Sequence, residues 1–504
     1  MNLAHLIDRA ARFWGERDAI TDGKRTMSFR DIDRRSDRLA GALLARGLMP
    51  GDRVATLMSN RLEWYEVTFG LAKAGLVAAV LDPRHSRTEK AHQIADSGAK
   101  VLLTSEEDRN LLDNVDLSSI GDIITIGDQY VRMLDQAEPA RMADVADDHP
   151  IDLKYTSGTT GAAKGVLHTH GSRYAGLKGM LIDLQGGPND VLMVSGPLQR
   201  GSGAMGLLFF ATGALQVIRP GFDVDDVLET IPKYRITTSL LVPTMIYKLL
   251  ERIDDSVDTS SLHTVHYAAS PMAPDRIEQC LARFGQVFAQ SYGSTEAFGG
   301  MTMLDRADHI PHAPRLASCG RESVTGEVRV GDENGRLMPP NEVGEILARG
   351  PSLFTRYWNQ EDATRAAFTP GGWFRTGDIG RTDDDGFVYL LDRKSDKIIS
   401  GGINIYPNEI EHVLFSHPAV AEAVVFGVPD STWGEAVTAV VRLRIGATAG
   451  TQEMRDWVRA RLAAYQVPKR VDFVTEELPK GATGKVLRRV LREKYWVGRD
   501  RQIG

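Results

Sequence analysis

The strongest constraint on this chain is the alternation in its first third between short apolar runs and longer amphipathic stretches, each cut off by glycine or proline. Residues 19–21 and 25–27 flank Asp22-Gly23 and read as a small hairpin. Ser28-Phe29-Arg30-Asp31 has the spacing of a capping box, which predicts a helix that Gly47 closes. Residues 54–57 are strand-like, 62–74 helical with Gly75 as a stop, 77–81 strand-like up to Asp82-Pro83, 87–97 helical and 101–104 strand-like. Alternation of this kind implies an α/β fold with much parallel sheet, and it recurs through residues 262–292.

A chain of 504 residues exceeds one ordinary core, so more than one domain is expected. Around residues 343–391 short apolar runs are cut by Gly, Asp and Pro, which reads as part of a β-rich subdomain spanning about 320–394. The polar run Arg393-Lys394-Ser395-Asp396-Lys397 then precedes new helix and strand signals, including a helix over 452–462. The expected division is a large multi-layer N-terminal domain, 1–394, and a small mobile α+β domain, 395–504. The net charge of −7 gives no support to nucleic-acid binding, and Cys280 and Cys319 are too few for a disulfide framework. The N-terminus lacks the uninterrupted apolar stretch of a signal peptide. The longest weakly polar run, residues 206–218, is shorter than the roughly 18–20 residues that span a bilayer. A cytoplasmic protein without transmembrane segments is expected; monomer and homodimer both stay open.

The segment Thr156-Ser157-Gly158-Thr159-Thr160-Gly161-Ala162-Ala163-Lys164-Gly165 concentrates glycines, hydroxyls and one lysine. Glycine lets several backbone N–H groups turn toward one anion, hydroxyls add donors and Lys164 adds a point charge. The spacing is not that of a Walker A loop, yet the kit suits a polyphosphate. The segment resembles the [Ser/Thr]-Gly-Thr-Thr-Gly-x-Pro-Lys-Gly loop of the acyl-adenylate-forming superfamily: acyl-CoA synthetases, peptide-synthetase adenylation domains and firefly luciferase. Ala163 stands where that pattern has a proline, whose ring would stiffen the loop.

Further segments resemble the same superfamily, in its order. Tyr292-Gly293-Ser294-Thr295-Glu296 is similar to Tyr-Gly-x-Thr-Glu, which implies Glu296 as a Mg²⁺ ligand, Thr295 at the α-phosphate and Tyr292 against adenine. Ala268-Ala269-Ser270-Pro271-Met272 takes the place of a Gly-Ala-Ala-Pro stretch that runs between adenine and acyl group. Trp373-Phe374-Arg375-Thr376-Gly377-Asp378 resembles a motif whose aspartate accepts both ribose hydroxyls, with Arg393 donating to the same ribose. Lys397-Ile398-Ile399-Ser400-Gly401-Gly402-Ile403-Asn404-Ile405 resembles the loop that acyl-CoA ligases use in thioester formation, where paired glycines line a passage for pantetheine. Trp433 lies where some aryl-CoA ligases stack the CoA adenine, although a packed interface tryptophan would look the same.

Pro479-Lys480-Gly481-Ala482-Thr483-Gly484-Lys485 resembles the C-terminal motif that carries the catalytic lysine, here Lys485. The chemistry needs a cation. Two unit negative charges about 4 Å apart at an effective dielectric near 20 repel by about 4 kcal/mol, and a lysine between carboxylate and α-phosphate reverses that sign. His168 and His170, two apart on what reads as one strand, are taken as structural. So are the Asp383-Asp384-Asp385-Gly386 turn and His417-Pro418, read as opening a strand–helix junction.

Pro197-Leu198-Gln199-Arg200-Gly201-Ser202-Gly203 resembles an acyl-gate motif in which Arg200 replaces histidine or an aromatic, and Ser395 replaces the usual hinge Asp or Lys. Gly201, Gly203, Ala204, Gly206, Gly299 and Gly300 suggest a roomy acyl pocket near Phe298, hence a bulky or long acyl group. The reaction implied by the resemblance is carboxylic acid plus MgATP to acyl-AMP, then acyl transfer to CoA after rotation of the C-terminal domain about Ser395. Weakened adenylation that leaves mainly conversion of preformed acyl-AMP, loading of a carrier protein, and non-catalytic acyl-nucleotide binding are the alternatives.

Overall fold

The structure is a computed structural model that describes residues 1–496 other than 157–162, 271, 431 and 481–485. Its first long helix shows how local sequence sets the elements. Ser28 Oγ accepts from Asp31 N at 3.1 Å and the Asp31 carboxylate accepts from Ser28 N at 3.2 Å, so the capping box opens the helix Phe29–Leu44. The helix ends before Gly47, which adopts φ 81°.

The fold is mixed α/β, as expected, with three sheets before residue 394 and one after it. A seven-stranded sheet runs in the order Arg356–Tyr357, Lys164–Thr169, Pro150–Thr156, Val77–Leu81, Arg53–Leu57, Val101–Ser105 and Asp122–Ile126. All its strands from Pro150–Thr156 to Asp122–Ile126 are parallel; the Lys164–Thr169 hairpin arm and Arg356–Tyr357 are antiparallel to their neighbours. A nine-stranded sheet holds Phe288–Tyr292, Thr264–Tyr267, Thr238–Leu241, Val191–Val194, Leu215–Ile218 and Asp18–Thr21 in parallel, with antiparallel strands at both edges. A four-stranded antiparallel sheet joins Glu327–Gly331, Gly344–Arg349, Phe374–Thr382 and Val388–Arg393. The fourth sheet contains only strands from Ile398 onward.

The main apolar core lies between the first two sheets. Helix Phe29–Leu44 meets helix Gly201–Thr212 there, with the Phe29 and Phe210 rings edge-on at 4.8 Å. The nine-stranded sheet is covered on both faces, and alternation along Thr264–Tyr267 sorts the side chains. Val265 and Tyr267 enter a second core with Phe288 and Ile277. His266 faces the other way, in register with Leu240 and Ala289, both of which pack with the main core.

Two local readings need correction. His168 ends up on the strand Lys164–Thr169 while His170 begins the next helix, because Thr169 caps that helix by accepting from Ser172 N. The two imidazoles therefore diverge: His168 Nε2 reaches Thr295 O at 2.8 Å, and His170 Nδ1 accepts from Leu3 N at 2.9 Å. His417 follows helix Pro407–Phe415 and precedes strand Val420–Asp430, so its junction is helix to strand. Among the described residues no helix is long and apolar enough to cross a membrane.

Burial keeps three imidazoles neutral, pulling His168 down to about 3 and His170 and His266 to about 4. Their unfolded value is near 6.5, so below that pH the unfolded chain binds more protons than the folded one. Stability is thus expected to be full above about pH 6.5 and to fall steadily toward pH 4. His266→Phe should flatten part of that slope in thermal melts taken across the range; an unchanged slope would contradict the assignment.

Candidate active site

The segment singled out in the sequence as a phosphate loop begins and ends on paired strands, Thr156 lying opposite Lys164. Ser157, Gly158, Thr159, Thr160 and Gly161 lie outside the described residues, as do Pro271 and Lys485. The described flank is informative. Lys164 Nζ sits 4.8 Å from the centre of the Tyr357 ring, and the Tyr357 hydroxyl donates to Glu296 Oε1 at 2.9 Å. Phe354 N donates to Glu296 O at 2.7 Å, and His168 holds the neighbouring carbonyl of Thr295. The fold therefore brings Lys164, Thr295 and Glu296 together through Tyr357, which gave no signal in the sequence.

Tyr292 closes the strand Phe288–Tyr292, and Gly293 follows it where a Cβ would come within 2.9 Å of Gly300 Cα. The Tyr292 hydroxyl donates to Asp378, whose other carboxylate oxygen meets Arg393 Nε at 2.8 Å. Asp378 and Arg393 are cross-strand partners in the four-stranded sheet, so register alone makes them neighbours. Burial, reinforced by Asp378, raises the Tyr292 hydroxyl well above its ordinary value, and it stays a donor. Ala268-Ala269-Ser270 follows the adjacent strand Thr264–Tyr267, and Ala269 holds φ 75°, a left-handed conformation in which glycine is at ease and alanine is strained.

Arg200 is the N-cap residue of helix Gly201–Thr212. Its guanidinium is not free: it meets Asp82 Oδ2 at 2.9 Å and lies 3.4 Å from His85 Nε2. Burial pushes the Asp82 carboxyl up, but Arg84 and Arg200 together hold it well below the usual carboxylate range. Asp82, visible in the sequence only as the end of a strand, is thus the counter-ion of Arg200.

Most of the glycines read as making room do something else. A Cβ on Gly203 would lie 1.9 Å from Leu198 O, on Gly206 2.5 Å from the Tyr65 hydroxyl, and on Gly299 2.7 Å from Gly176 O. They permit close packing rather than an open pocket. Phe298 itself is buried, with Arg173 stacked 4.0 Å above its ring.

Ser400, Gly401 and Gly402 form the turn between strands Ile398–Ser400 and Ile403–Ile405, with φ 58° and 79° at the two glycines. Gly401 N donates to Trp433 O at 2.8 Å, and a Cβ on Gly401 would lie 2.8 Å from the Trp433 ring. Trp433 is half exposed, and Lys469 Nζ sits 4.2 Å from its ring centre.

Near Lys485 in the chain lies Arg488, which sequence reading passed over. Its guanidinium meets Asp392 at 3.4 Å, Asp396 at 2.7 Å, Glu411 at 2.8 Å and Asn408 Oδ1 at 3.1 Å. It ties the start of helix Arg488–Glu493 to the polar run around residue 395. Among the described residues no group of three or more His, Cys, Asp or Glu side chains is arranged to hold a metal.

Arg488→Met leaves three partly buried carboxylates without their cation, a change of the kind that costs about 3–5 kcal/mol. Glu411 also accepts from Val425 N at 2.7 Å. Hydrogen exchange in the strand Val420–Asp430 should therefore accelerate while that in Val77–Leu81 stays as in the wild type. Equal protection of Val420–Asp430 in both proteins would refute the tethering role.

Residues 7–358 match the family described as AMP-binding enzyme, and residues 409–485 match the AMP-binding enzyme C-terminal domain. A feruloyl-CoA synthase from Amycolatopsis is 36% identical over 501 residues, covering 97% of this chain and 98% of that protein. A medium/long-chain-fatty-acid–CoA ligase of Mycobacterium tuberculosis is 35% identical over 526 residues, covering 99% and 91%. Among solved structures, ATP-bound MatB from Rhodopseudomonas palustris superposes with a TM-score of 0.90 at 29% identity, covering 98% of this chain and 99% of that one. The o-succinylbenzoate CoA synthetase of Bacillus subtilis, in complex with its acyl-adenylate intermediate, gives 0.86 at 31% identity over 97% of both chains.

Proposed function

The chain belongs to the family of AMP-binding enzymes, and from that premise we propose that it is an ATP-dependent, AMP-forming acyl-CoA ligase. The observation that carries the reading is the buried carboxylate of Asp378, held between the Tyr292 hydroxyl and Arg393. Such a carboxylate is suited to accept the two ribose hydroxyls of a nucleotide, with Arg393 as a donor beside it.

Around that anchor the roles follow. Thr156, Ser157, Gly158, Thr159, Thr160, Gly161 and Lys164 hold the phosphates, and Ala269, Ser270, Pro271, Tyr292 and Gly293 border the adenine. Thr295 contacts the α-phosphate. Mg²⁺ would be held by Glu296 together with phosphate and water oxygens, and it would neutralise charge on the polyphosphate. Lys485 is assigned the charge that offsets carboxylate and α-phosphate as the acyl–phosphate bond forms and pyrophosphate leaves. Ser400, Gly401 and Gly402 then line the approach of the CoA thiol, with Trp433 beside them for the CoA adenine. The thiol attacks the acyl carbon and AMP departs. Residues 1–394 and 395–504 act as two domains hinged near Ser395.

The finer reading is a bulky or long-chain acyl group. Its support is similarity to ligases named for ferulate and for medium and long fatty acids. Weakened adenylation was suggested by Ala163, Arg200 and Ser395 together; the Arg200–Asp82 pair weakens one of these three grounds. Carrier-protein loading has in its favour one relative, 34% identical over 495 residues, named as a fatty acid–[acyl-carrier-protein] ligase, against several named for CoA.

A panel of aromatic and C8–C16 acids with MgATP and CoA should yield AMP and CoA thioester in equal amounts. AMP without thioester, or no acid-dependent AMP from any acid, would overturn the reading. Gly401→Val places a branched side chain at φ 58° and against Trp433. It should lower thioester formation at least tenfold and leave acid-dependent pyrophosphate release within twofold of the wild type.

A further inference from the structure

Along the strand Pro150–Thr156, Ile151, Leu153 and Tyr155 are buried and alternate with Asp152, Lys154 and Thr156. Leu153 and Tyr155 pack with Val77 and Leu167, which puts Lys154 on the opposite face. Its cross-strand partner there is Val166, and that of Asp152 is His168. Val166 packs with Tyr292 and Ala297, and His168 holds the Thr295 carbonyl, so this face looks onto the Tyr292–Ala297 segment of the site.

Lys154 is half-buried two residues before the phosphate loop begins at Thr156, yet its ammonium makes no hydrogen bond or salt bridge among the described residues. The nearby carboxylates are already engaged. Asp152 pairs with Arg173 at 2.5 Å, and Asp82 pairs with Arg84 and Arg200. Burial first, and then the neighbouring cations Arg173 and Arg200, pull the Lys154 ammonium down to about 8 despite the opposing pull of Asp152. A cation sunk among cations without a counter-ion of its own is a site that gains by receiving an anion.

Two anions come close in the proposed reaction, the substrate carboxylate and the ATP phosphates. The position favours the first. Val80 lies opposite Lys154 in the sheet, and Asp82, two residues further on the same face, holds Arg200 at the start of helix Gly201–Thr212, the segment that resembles an acyl gate. The nucleotide anchor Asp378 has its own cation in Arg393.

We propose that Lys154 is the docking cation for the carboxylate of the acid substrate, supplied by the large domain and separate from Lys485. The proposal rests on the acyl-CoA ligase reading. Lys154 acts as a binding residue: its ammonium donates to the carboxylate, and no covalent step passes through it.

Calorimetry with ferulate and with dodecanoate, in the presence of Mg²⁺ and α,β-methylene-ATP, tests this without turnover. Relative to wild type, Lys154→Met should weaken binding of whichever acid the wild type takes at least tenfold. The Kd of α,β-methylene-ATP should stay within twofold, and so should that of the corresponding carboxamide, which carries no charge. Lys154→Arg should recover most of the acid affinity, and Lys154→Gln serves in place of Lys154→Met if the latter fails to fold. Acid affinity within twofold of wild type, a loss of nucleotide affinity instead, equal losses for acid and carboxamide, or no acid binding by the wild type would each overturn the proposal. Acid binding that depends on Lys154 without pyrophosphate release from ATP would sink the ligase reading and spare this one. Normal turnover with unimpaired acid binding by Lys154→Met would do the reverse.

Discussion

The Asp378 carboxylate is the point on which the site turns. It lies in the four-stranded sheet, its hydroxyl donor Tyr292 ends a strand of the nine-stranded sheet, and its cation Arg393 closes the last strand before the polar run at residues 393–397. One buried charge thereby joins two sheets and the start of the connection to the fourth sheet. Removing a partner from such a pair leaves an uncompensated charge out of water, which is among the costlier single changes a fold can suffer. In the proposed reading this carboxylate takes the nucleotide sugar, and the other assigned roles are laid out from it.

Electrostatics organises the remainder. The cations around the site come from several elements, including Lys164 from the second strand of the seven-stranded sheet, Lys154 from the strand beside it and Arg393, paired with Asp378, from the four-stranded sheet. Those with structural duties are already matched, Arg173 to Asp152, Arg200 to Asp82 and Arg488 to a set of acidic residues. In the proposed reading this division separates cations that hold the fold from Lys154, and motif comparison alone does not make it.

Much of the fold was legible in the sequence because its signals are local. Ser28 and Asp31 announced a helix start, and Asp22-Gly23 announced a small hairpin, since each depends on residues a few positions apart. The motif segments also came together as their order implied, Lys164 with Glu296 through Tyr357 and Asp378 with Arg393. What the sequence hid was long-range pairing. Nothing near Arg200 points to Asp82, and nothing near Arg488 points to Glu411. The glycines misled for a related reason. A missing side chain reads as space, yet at Gly203, Gly206 and Gly299 another part of the chain fills it.

The central claim is that Asp378 reads the ribose of a bound nucleotide, and discrimination by sugar hydroxyls tests it most directly. Binding of ATP and of 2′,3′-dideoxy-ATP should be measured by calorimetry for the wild type and for Asp378→Asn. The wild type is expected to favour ATP at least tenfold, and Asp378→Asn should bind the two within about twofold of each other. Equal affinity for both nucleotides in the wild type, or an undiminished preference for ATP in Asp378→Asn, would contradict the account.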